Sequence, residues 1–346
     1  MEKRILHIVP SYIGGVKTVV DEIINNLDYN NVTLVVFEGG NNSIKKNIKF
    51  TNLEHSNFFR KILMLYNIIK SNDIIHVHQF PALYYCAILR MLFFRNKKFI
   101  FTEHASNNNR RNVKMLKFVE ILIYKQYDYV IAVSNSCKKN LLKWLNNSIY
   151  VKTINNGINI NQFTINNTIN FKELNIDSRY IITMVSRLNK DKDFKTLLHS
   201  MIYLDNNFHL ILVGDGVLRK NIEQEIKKYN LSDKITLLGF REDVKDILYS
   251  SSISVLSSYA EGMSLAIFES LAVNTPCIGS DVDGICDVLP SKYRFKVGDS
   301  KRLAEMIKQT VTDKEYPFEE ILNPFSLDKM LNSYNKIYSS DNTQIV

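Results

Sequence analysis

Several residue types that define whole classes of protein are scarce in this chain of 346 residues. Its 4 cysteines lie far apart, with no CxxC pair and no histidine at metal-ligand spacing, so nothing indicates a disulfide framework or a zinc site. We therefore expect a reducing compartment. With 12 glycines and 6 prolines, the chain is also too poor in turn-forming residues to be a linker-rich or fibrous protein.

Long uncharged apolar runs are missing as well. A membrane-spanning helix needs about 18 or more such residues, and the nearest approach, residues 83–94, carries Arg90 in its middle. Residues 5–9 form a short apolar run that is typical of a first β-strand and lacks the pattern of a signal peptide. We expect a cytoplasmic protein that does not cross a membrane.

The positive charge of the chain is confined to its first half. The formal net charge is +9. Residues 1–170 hold 22 Lys and Arg against 10 Asp and Glu, whereas residues 171–346 hold 22 against 25. This asymmetry indicates that the first half faces an anionic partner, either nucleic acid or a phospholipid surface.

Length and hydrophobic patterning predict two domains. In both halves, short apolar runs alternate with segments of helical periodicity, which is typical of βαβ units and of two Rossmann-like, doubly wound parallel-sheet domains. Ligands of such sheets bind beyond the carboxyl ends of the strands, so we expect the domains to face each other across a cleft. The predicted boundaries are an N-terminal domain over 1–162, a C-terminal domain over 163–325, and a C-terminal helix and tail over 326–346 that can cross back to the first domain.

Two segments that follow predicted strands carry groups suited to an anionic ligand. Gly14, Gly15 and Val16 precede a helix, where glycine lets the backbone approach an anion and the helix N-terminus offers free N–H groups. A simple tight turn is the alternative. Arg187 and Lys192 can clamp adjacent phosphates, unless they belong to a solvated basic loop.

A block with a glutamate at each end is the most specific signal. It runs from Glu261 to Glu269 with Ser264 between them. If a helix begins near Ser264, its first N–H groups face a phosphate, and the two carboxylates lie at most about 12 Å apart. One could then reach a sugar hydroxyl and the other a ribose. Alternatively, one glutamate lies in a loop and the other on a helix surface.

Seven motifs follow one another along the chain: Gly-Gly-Val at 14–16, Thr-Glu-His at 102–104, Asn-Gly-Ile at 156–158, Ser-Arg-Leu at 186–188 with Lys192, Val-Gly-Asp-Gly at 213–216, Leu-Gly-Phe-Arg at 238–241 and Glu-x7-Glu at 261–269. Together and in this order, these motifs resemble those of the family 4 glycosyltransferases of GT-B fold, over nearly the whole chain. Members like this one are retaining enzymes without an agreed protein nucleophile, in which the donor phosphate serves as base. Ser186 and Asp193 depart from the pattern, because the family usually has glycine there.

The resemblance implies a nucleoside-diphosphate sugar that is held mainly by the second domain. A UDP-sugar is favoured as the donor, with a GDP-sugar as the second candidate. The implied contacts to the diphosphate come from Arg187 and Lys192, from Gly14, Gly15 and Val16 of the first domain, and from backbone N–H groups around Met263, Ser264 and Leu265. Glu269 would bind the ribose, and Phe240 and Arg241 would contact the base. Glu261 would contact hydroxyls of the transferred sugar, with His104 beside that sugar.

Metal binding is not expected, and the donor is the substrate rather than a cofactor. Acidic patterns at 191–193 and 281–283 match the DxD metal motif of the other main glycosyltransferase fold, but patterns this short recur by chance. His76 and His78 alternate along one predicted strand and therefore point to one face. A satisfied structural role is favoured for both over metal ligation.

Two amphipathic segments of the basic half, residues 58–66 and 89–98, interleave aromatic and cationic residues as at the headgroup boundary of an anionic membrane. Helices packed on a sheet would show the same pattern.

We expect a peripheral membrane enzyme that transfers a hexose or N-acetylhexosamine to a lipid-linked glycan, in the synthesis of a bacterial surface polysaccharide such as O-antigen or capsule. The rival hypotheses are a GT-B nucleotide-sugar 2-epimerase and a basic nucleic-acid-binding protein. The latter leaves the glutamate block unexplained, so no nucleic acid partner is expected.

Overall fold

The structure is a computed structural model that describes residues 3–39, 48–105, 109–160, 163, 165 and 167–340. Contacts divide the chain into two units. The first lies within Met1–Gly157 and Leu327–Val346, and the second is Ile158–Ser326. Each has an all-parallel sheet with helices in the connections, which confirms the predicted pair of Rossmann-like, doubly wound domains.

The first unit is built on seven parallel strands. They are β1 (Ile5–Ser11), β2 (Val32–Glu38), β3 (Lys49–Asn52), β4 (Ile74–His78), β5 (Lys98–Glu103), β6 (Tyr129–Ala132) and β7 (Val151–Thr153). Their order in the sheet is β3-β2-β1-β4-β5-β6-β7. The helices are α1 (Gly14–Asn26), α2 (Phe58–Lys70), α3 (Ala82–Phe93), α4 (Leu116–Tyr124), α5 (Asn135–Trp144) and, at the C-terminal end of the chain, α12 (Leu327–Ser339).

Helix α12 belongs to the core of the first unit. Its buried residues Met330, Tyr334 and Ile337 pack in one cluster with Ile5 of β1 and Val19 of α1. They lie on one face because residues three and four positions apart in a helix are neighbours. The chain thus passes from the first unit to the second after Gly157 and returns after Ser326.

The second unit has six parallel strands. They are β8 (Tyr180–Val185), β9 (Phe208–Val213), β10 (Ile235–Gly239), β11 (Ile253–Leu256), β12 (Cys277–Ser280) and β13 (Arg294–Phe295), in the order β10-β9-β8-β11-β12-β13. The helices are α6 (Phe194–Ser200), α7 (Arg219–Lys228), α8 (Val244–Tyr249), α9 (Leu265–Ala272), α10 (Ser300–Thr310) and α11 (Phe318–Leu322).

Each sheet has one point at which the order of its strands reverses. In the first sheet this point lies between β1 and β4, and in the second it lies between β8 and β11. The loops that leave the carboxyl ends of such a pair diverge and open a crevice, where doubly wound proteins bind their ligands. Within the described ranges, no helix combines the length and the apolar character needed to cross a membrane.

Candidate active site

In the second unit, the loops after β8 and β11 are joined at the switch point. Lys192 forms an isolated antiparallel bridge with Ser258. The backbone N–H of Tyr259 donates to the carbonyl of Asp191 at 2.9 Å. These bonds hold the predicted phosphate segment against the segment that leads to Glu261.

Lys192 and Glu261 form an ion pair at this junction. The hydroxyl of Ser258 donates to the same carboxylate oxygen of Glu261 at 2.8 Å. The side chains of Lys192 and Glu261 are only 14% and 15% exposed, so water screens the pair weakly. The sequence predicted separate ligands for the two residues, and the structure shows that they also position each other.

The backbone at Glu261 is fixed by the loop after β12. Its N–H donates to the carbonyl of Asp283 at 3.3 Å. Gly284, which follows Asp283, has a left-handed φ of +81°, and a Cβ there would lie 2.5 Å from the carbonyl oxygen of Glu261. Only glycine fits this position, so the close approach that places Glu261 depends on it.

Arg187 lies in the loop after β8 and is exposed. The preceding residue, Ser186, donates its N–H to the carbonyl of Val213 at 3.0 Å. A Cβ on Gly214 would lie 2.1 Å from the carbonyl oxygen of Ser186, so the β9 loop can pack this closely only with glycine. Arg187 has no ion-pair partner among the described residues, and its guanidinium is open to an anion.

The two departures from the family pattern have different consequences. Asp193 is buried and caps α6, because its carboxylate accepts the N–H of Thr196 at 3.1 Å. A glycine could not supply this cap. The hydroxyl oxygen of Ser186 is buried and has no hydrogen-bond partner in the described part of the chain.

Helix α9 begins directly after the glutamate loop. Its N-cap residue is Ser264, whose side chain makes no capping hydrogen bond to a described residue. The first N–H groups, from Leu265 onward, therefore lack a side-chain acceptor from the cap and suit a phosphate. Met263 is buried beside them. Further along the helix, burial raises the pKa of the Glu269 carboxyl, and the charge of Lys245 opposes this.

Phe240 and Arg241 follow β10 with unequal freedom. Arg241 pairs with Asp243, with its Nε 2.7 Å from the carboxylate oxygen. The ring of Phe240 is 79% exposed. An exposed ring at the carboxyl end of a strand can stack on a nucleobase, so Phe240 is the better placed of the two.

In the first unit, the Gly-Gly-Val segment opens α1. Gly14 has a left-handed φ of +57°, and a Cβ there would meet no described atom within 4 Å. Gly15 and Val16 complete the first turn. The N-cap residue, Ile13, offers no polar side chain, so the described residues leave this helix end accessible to a ligand.

Four histidines lie on or directly after β1, β4 and β5. Nε2 of His104 lies 3.0 Å from Nδ1 of His78, and Nε2 of His78 lies 3.2 Å from Nδ1 of His7. His76 is bonded elsewhere, with Nδ1 2.6 Å from the Tyr338 hydroxyl and Nε2 2.8 Å from that of Thr102. Burial lowers the pKa of all four rings, to about 3 for His7 and about 4 for His104.

Three of these histidines are close enough to share a cation. Ring nitrogens of His7, His76 and His78 lie within 4.8 Å of one another. Both nitrogens of His76 already make hydrogen bonds, so His76 would have to lose one of them to bind a metal ion. These bonds give His76 a structural role.

We expect acid to destabilise the protein through this histidine group. The folded rings stay neutral, whereas in the unfolded chain they take up protons below a pKa of about 6.5. The unfolded state therefore binds more protons, and stability is lost as the pH falls below about 6.5. Between pH 7.5 and 5.5 each such histidine costs about 1.4 kcal/mol. Urea unfolding at the two pH values measures the loss, and equal stabilities would contradict it.

Two residues of these sites were not singled out by the sequence. Ser258 belongs to a serine pair after β11, a composition common to many loops. His7 lies inside the apolar strand β1, and a histidine at such a position needs a buried partner. A histidine inside an apolar strand was therefore the signal that could have singled out His7. Its partner, His78, is distant in sequence, so the sequence does not identify it.

Models of two protein families match the chain. The model described as Glycosyltransferase Family 4 matches residues 13–162, and the model described as Glycosyl transferases group 1 matches residues 166–321. Each match therefore coincides closely with one unit of the structure.

Curated proteins and solved structures agree with these matches. N-acetyl-alpha-D-glucosaminyl L-malate synthase of Bacillus anthracis is 27% identical over 283 residues, which cover 77% of this chain and 74% of that protein. UDP-Gal:alpha-D-GlcNAc-diphosphoundecaprenol alpha-1,3-galactosyltransferase of Escherichia coli is 25% identical over 304 residues, covering 82% of this chain and 77% of that protein. The crystal structure of Anabaena HepE in complex with UDP-glucose shares the fold, with a TM-score of 0.84 at 17% identity over 98% of this chain and 100% of that one. The chain belongs to the family 4 glycosyltransferases of GT-B fold.

Proposed function

We propose that this glycosyltransferase moves a hexose or N-acetylhexosamine from a UDP-sugar to a lipid-linked glycan of a bacterial surface polysaccharide, with retention of configuration. The observation that carries the proposal is the cluster of Lys192, Glu261 and Ser258 at the switch point of the second sheet. Its cation suits a diphosphate, and its carboxylate suits sugar hydroxyls. The Escherichia coli relative is named for a UDP-Gal donor and a diphosphoundecaprenol acceptor, which supports both choices.

Each residue keeps the role that the family resemblance implies. Arg187 binds the diphosphate, and Lys192 adds charge there while it orients Glu261 toward the sugar. Glu269 binds the ribose, and His104 contacts the transferred sugar. The N–H groups at the start of α9 add donors for the phosphates. As in family members of this type, an oxygen of the leaving phosphate takes the proton of the acceptor hydroxyl.

No metal ion is required in this proposal. Arg187, Lys192 and the N-terminus of α9 supply the positive charge that a divalent cation would otherwise provide. Members of the two acidic patterns have structural tasks that support this assignment. Asp193 caps α6, and Asp281 pairs with Arg294 at 3.0 Å.

A binding screen tests the donor, and the Arg187→Ala variant tests the diphosphate clamp. UDP-, GDP- and ADP-sugars are compared by thermal shift at the same concentration, and we expect UDP-sugars to stabilise the protein most. A UDP-sugar at 100 times its dissociation constant should add about 2.7 kcal/mol to the free energy of unfolding. Arg187→Ala should weaken the binding of UDP by about 2 kcal/mol, or roughly 30-fold, because one charged contact is lost. Lys301→Ala, which removes an exposed cation from α10, is the matched control. Unchanged UDP affinity in the Arg187 variant would exclude the clamp.

Helix α4 supports our proposal that this enzyme lies at a membrane surface. It buries Glu120, which accepts the Tyr84 hydroxyl at 2.8 Å and pairs with Arg110 at 3.3 Å. Phe118 and Leu122 on the same helix are 74% and 64% exposed. Because the buried carboxylate is held by these partners, the helix cannot turn its apolar side inward without breaking them. Its apolar side is therefore presented to the surroundings.

Neighbouring helices extend this apolar surface. Helix α3 packs against both α2 and α4. Phe59 and Leu63 of α2 and Leu92 and Phe93 of α3 are exposed. The face formed by these exposed residues of α2, α3 and α4 is called here the apolar surface. We propose that the apolar surface contacts anionic lipid and that this contact attaches the enzyme peripherally to the membrane.

Two of the cations that the sequence suggested for lipid are not available to it. Arg90 is occupied by an ion pair with Asp128 at 2.5 Å, and Lys98 is buried in the first unit. Exposed cations on or next to the helices that form the apolar surface include Arg60, Arg95, Lys114 and Lys125.

We expect the chain to bind vesicles that contain phosphatidylglycerol and not neutral ones. Binding should weaken in high salt, since each cation near the surface contributes about 1 kcal/mol and salt screens it. Replacing Arg60, Arg95, Lys114 and Lys125 with Gln should abolish sedimentation with vesicles. The double variant Phe118→Ser with Leu122→Ser should weaken the part of vesicle binding that persists in high salt. Equal lack of binding to both vesicle types, with full activity on a water-soluble acceptor, would contradict membrane attachment.

A further inference from the structure

We propose that His7 and His78 are positioning residues that set the tautomer of His104 through an unbranched chain of imidazole hydrogen bonds. The chain has two links, from His7 Nδ1 to His78 Nε2 at 3.2 Å and from His78 Nδ1 to His104 Nε2 at 3.0 Å. It rests on the proposed function only in that His104 contacts the transferred sugar.

The geometry allows two states of the chain. A neutral imidazole carries one N–H donor and one acceptor nitrogen, so each link needs a donor on one ring and an acceptor on the other. If His7 donates from Nδ1, His78 must accept at Nε2 and donate from Nδ1, and His104 must accept at Nε2. All three rings are then protonated on Nδ1. In the opposite state all three are protonated on Nε2.

The tautomer of His104 decides what it can offer to a substrate. Nε2 of His104 is occupied by His78, which leaves Nδ1 as the nitrogen that can bind a ligand. In the first state Nδ1 donates a hydrogen bond to a sugar hydroxyl, and in the second it accepts one. The buried ring of His7, which lies two links away, thereby selects between a donor and an acceptor at His104.

Two further observations keep the chain unbranched and neutral. The ring of His76 lies close to that of His78, with centroids 4.1 Å apart and planes tilted by 34°, but its nitrogens are bonded to Tyr338 and Thr102. Burial lowers the pKa of every ring in the group, so none of them becomes a double donor at neutral pH. A charged ring would break the correlation between the tautomers, and this environment disfavours it.

Histidine side-chain nitrogen NMR on the full chain tests the proposal without any substitution. We expect His7, His78 and His104 to show the same tautomer. Different tautomers among the three rings would overturn the proposal, and so would stoichiometric binding of Zn²⁺ that shifts these nitrogens in protein purified without chelator.

Substitutions then separate positioning from packing. His7→Phe removes the first link, and we expect His104 to lose its single tautomer and kcat to fall about 10- to 100-fold with the KM for the donor unchanged. His7→Asn keeps a polar group near the Nδ1 position and should recover most of this loss. His76→Phe is the matched control, because it alters an equally buried ring outside the chain, and it should leave the tautomer of His104 unchanged.

The outcomes distinguish this inference from the proposed function. An unchanged His104 tautomer in His7→Phe would overturn the positioning role, even where His104 proves essential for transfer. Full activity in a His104 variant would instead overturn its proposed contact with the sugar, while a shared tautomer would still establish the chain. If His7→Phe does not fold, the wild-type tautomers and His7→Asn still decide the matter.

Discussion

Sugar transfer by the Glu261→Gln variant is expected to be slower than by the wild-type enzyme by at least about 100-fold in kcat. The substitution keeps the size of the side chain and removes its charge. Glu261 accepts hydrogen bonds from Lys192 and Ser258, so its carboxylate is held in one orientation before the sugar arrives. An amide in its place interacts less strongly with sugar hydroxyls and leaves the Lys192 ammonium without its anion.

The rate is measured with the UDP-sugar identified by the thermal-shift screen, together with UDP affinity and circular dichroism. Glu305→Gln is the matched control, because Glu305 is an exposed glutamate of α10 that pairs with Arg302 at 3.2 Å. We expect the control to keep wild-type kcat. Wild-type turnover in Glu261→Gln would remove Glu261 from the site.

Transfer is also expected to be abolished by His104→Ala, with the affinity for UDP retained. His104 lies directly after β5 and is partly exposed, so its ring can contact a ligand. Burial lowers its pKa to about 4, so it acts as a neutral hydrogen-bonding group at physiological pH. Its removal deletes the contact to the sugar that we propose and leaves the nucleotide contacts proposed for the second unit in place.

The alanine variant also leaves Nδ1 of the buried His78 without a partner, which costs about 1 to 3 kcal/mol of stability. His104→Gln avoids this cost, because its terminal amide can reach the position of Nε2. We expect both variants to lose transfer, and only the alanine variant to lose stability, as measured by urea unfolding. A glutamine variant with wild-type kcat would show that His104 contributes through folding alone.

The local pattern of apolar residues was sufficient to predict the class of fold and to place the motifs after strands. Buried parallel strands are nearly continuous apolar runs, and β1, β4, β8 and β9 are visible as such in the sequence. The glycine and arginine motifs directly after them point to the carboxyl edges of the sheets, where ligands bind. Strands β3 and β13 escaped prediction, because four half-exposed residues and two residues carry no usable periodicity.

The polarity of α4 also escaped prediction. Residue type alone predicts that Phe118 and Leu122 lie in a core and Glu120 on the surface, since this is where these residue types usually lie. The structure reverses the assignment because Tyr84 and Arg110 supply buried partners for the carboxylate. Such partners are recruited from other segments of the chain, and helical periodicity does not report them.

The sequence by itself determined that this chain forms two doubly wound parallel sheets, because hydrophobic periodicity and turn residues act over a few positions. Its motifs also resemble those of the family 4 glycosyltransferases. Only the tertiary structure decided that Lys192 pairs with Glu261, 69 residues away, and that His7 meets His78, 71 residues away. Both contacts depend on which strands become neighbours: β8 lies beside β11, and β1 beside β4. Neighbours in a parallel sheet are joined through long crossover connections, so their pairing is settled by the packing of the whole unit.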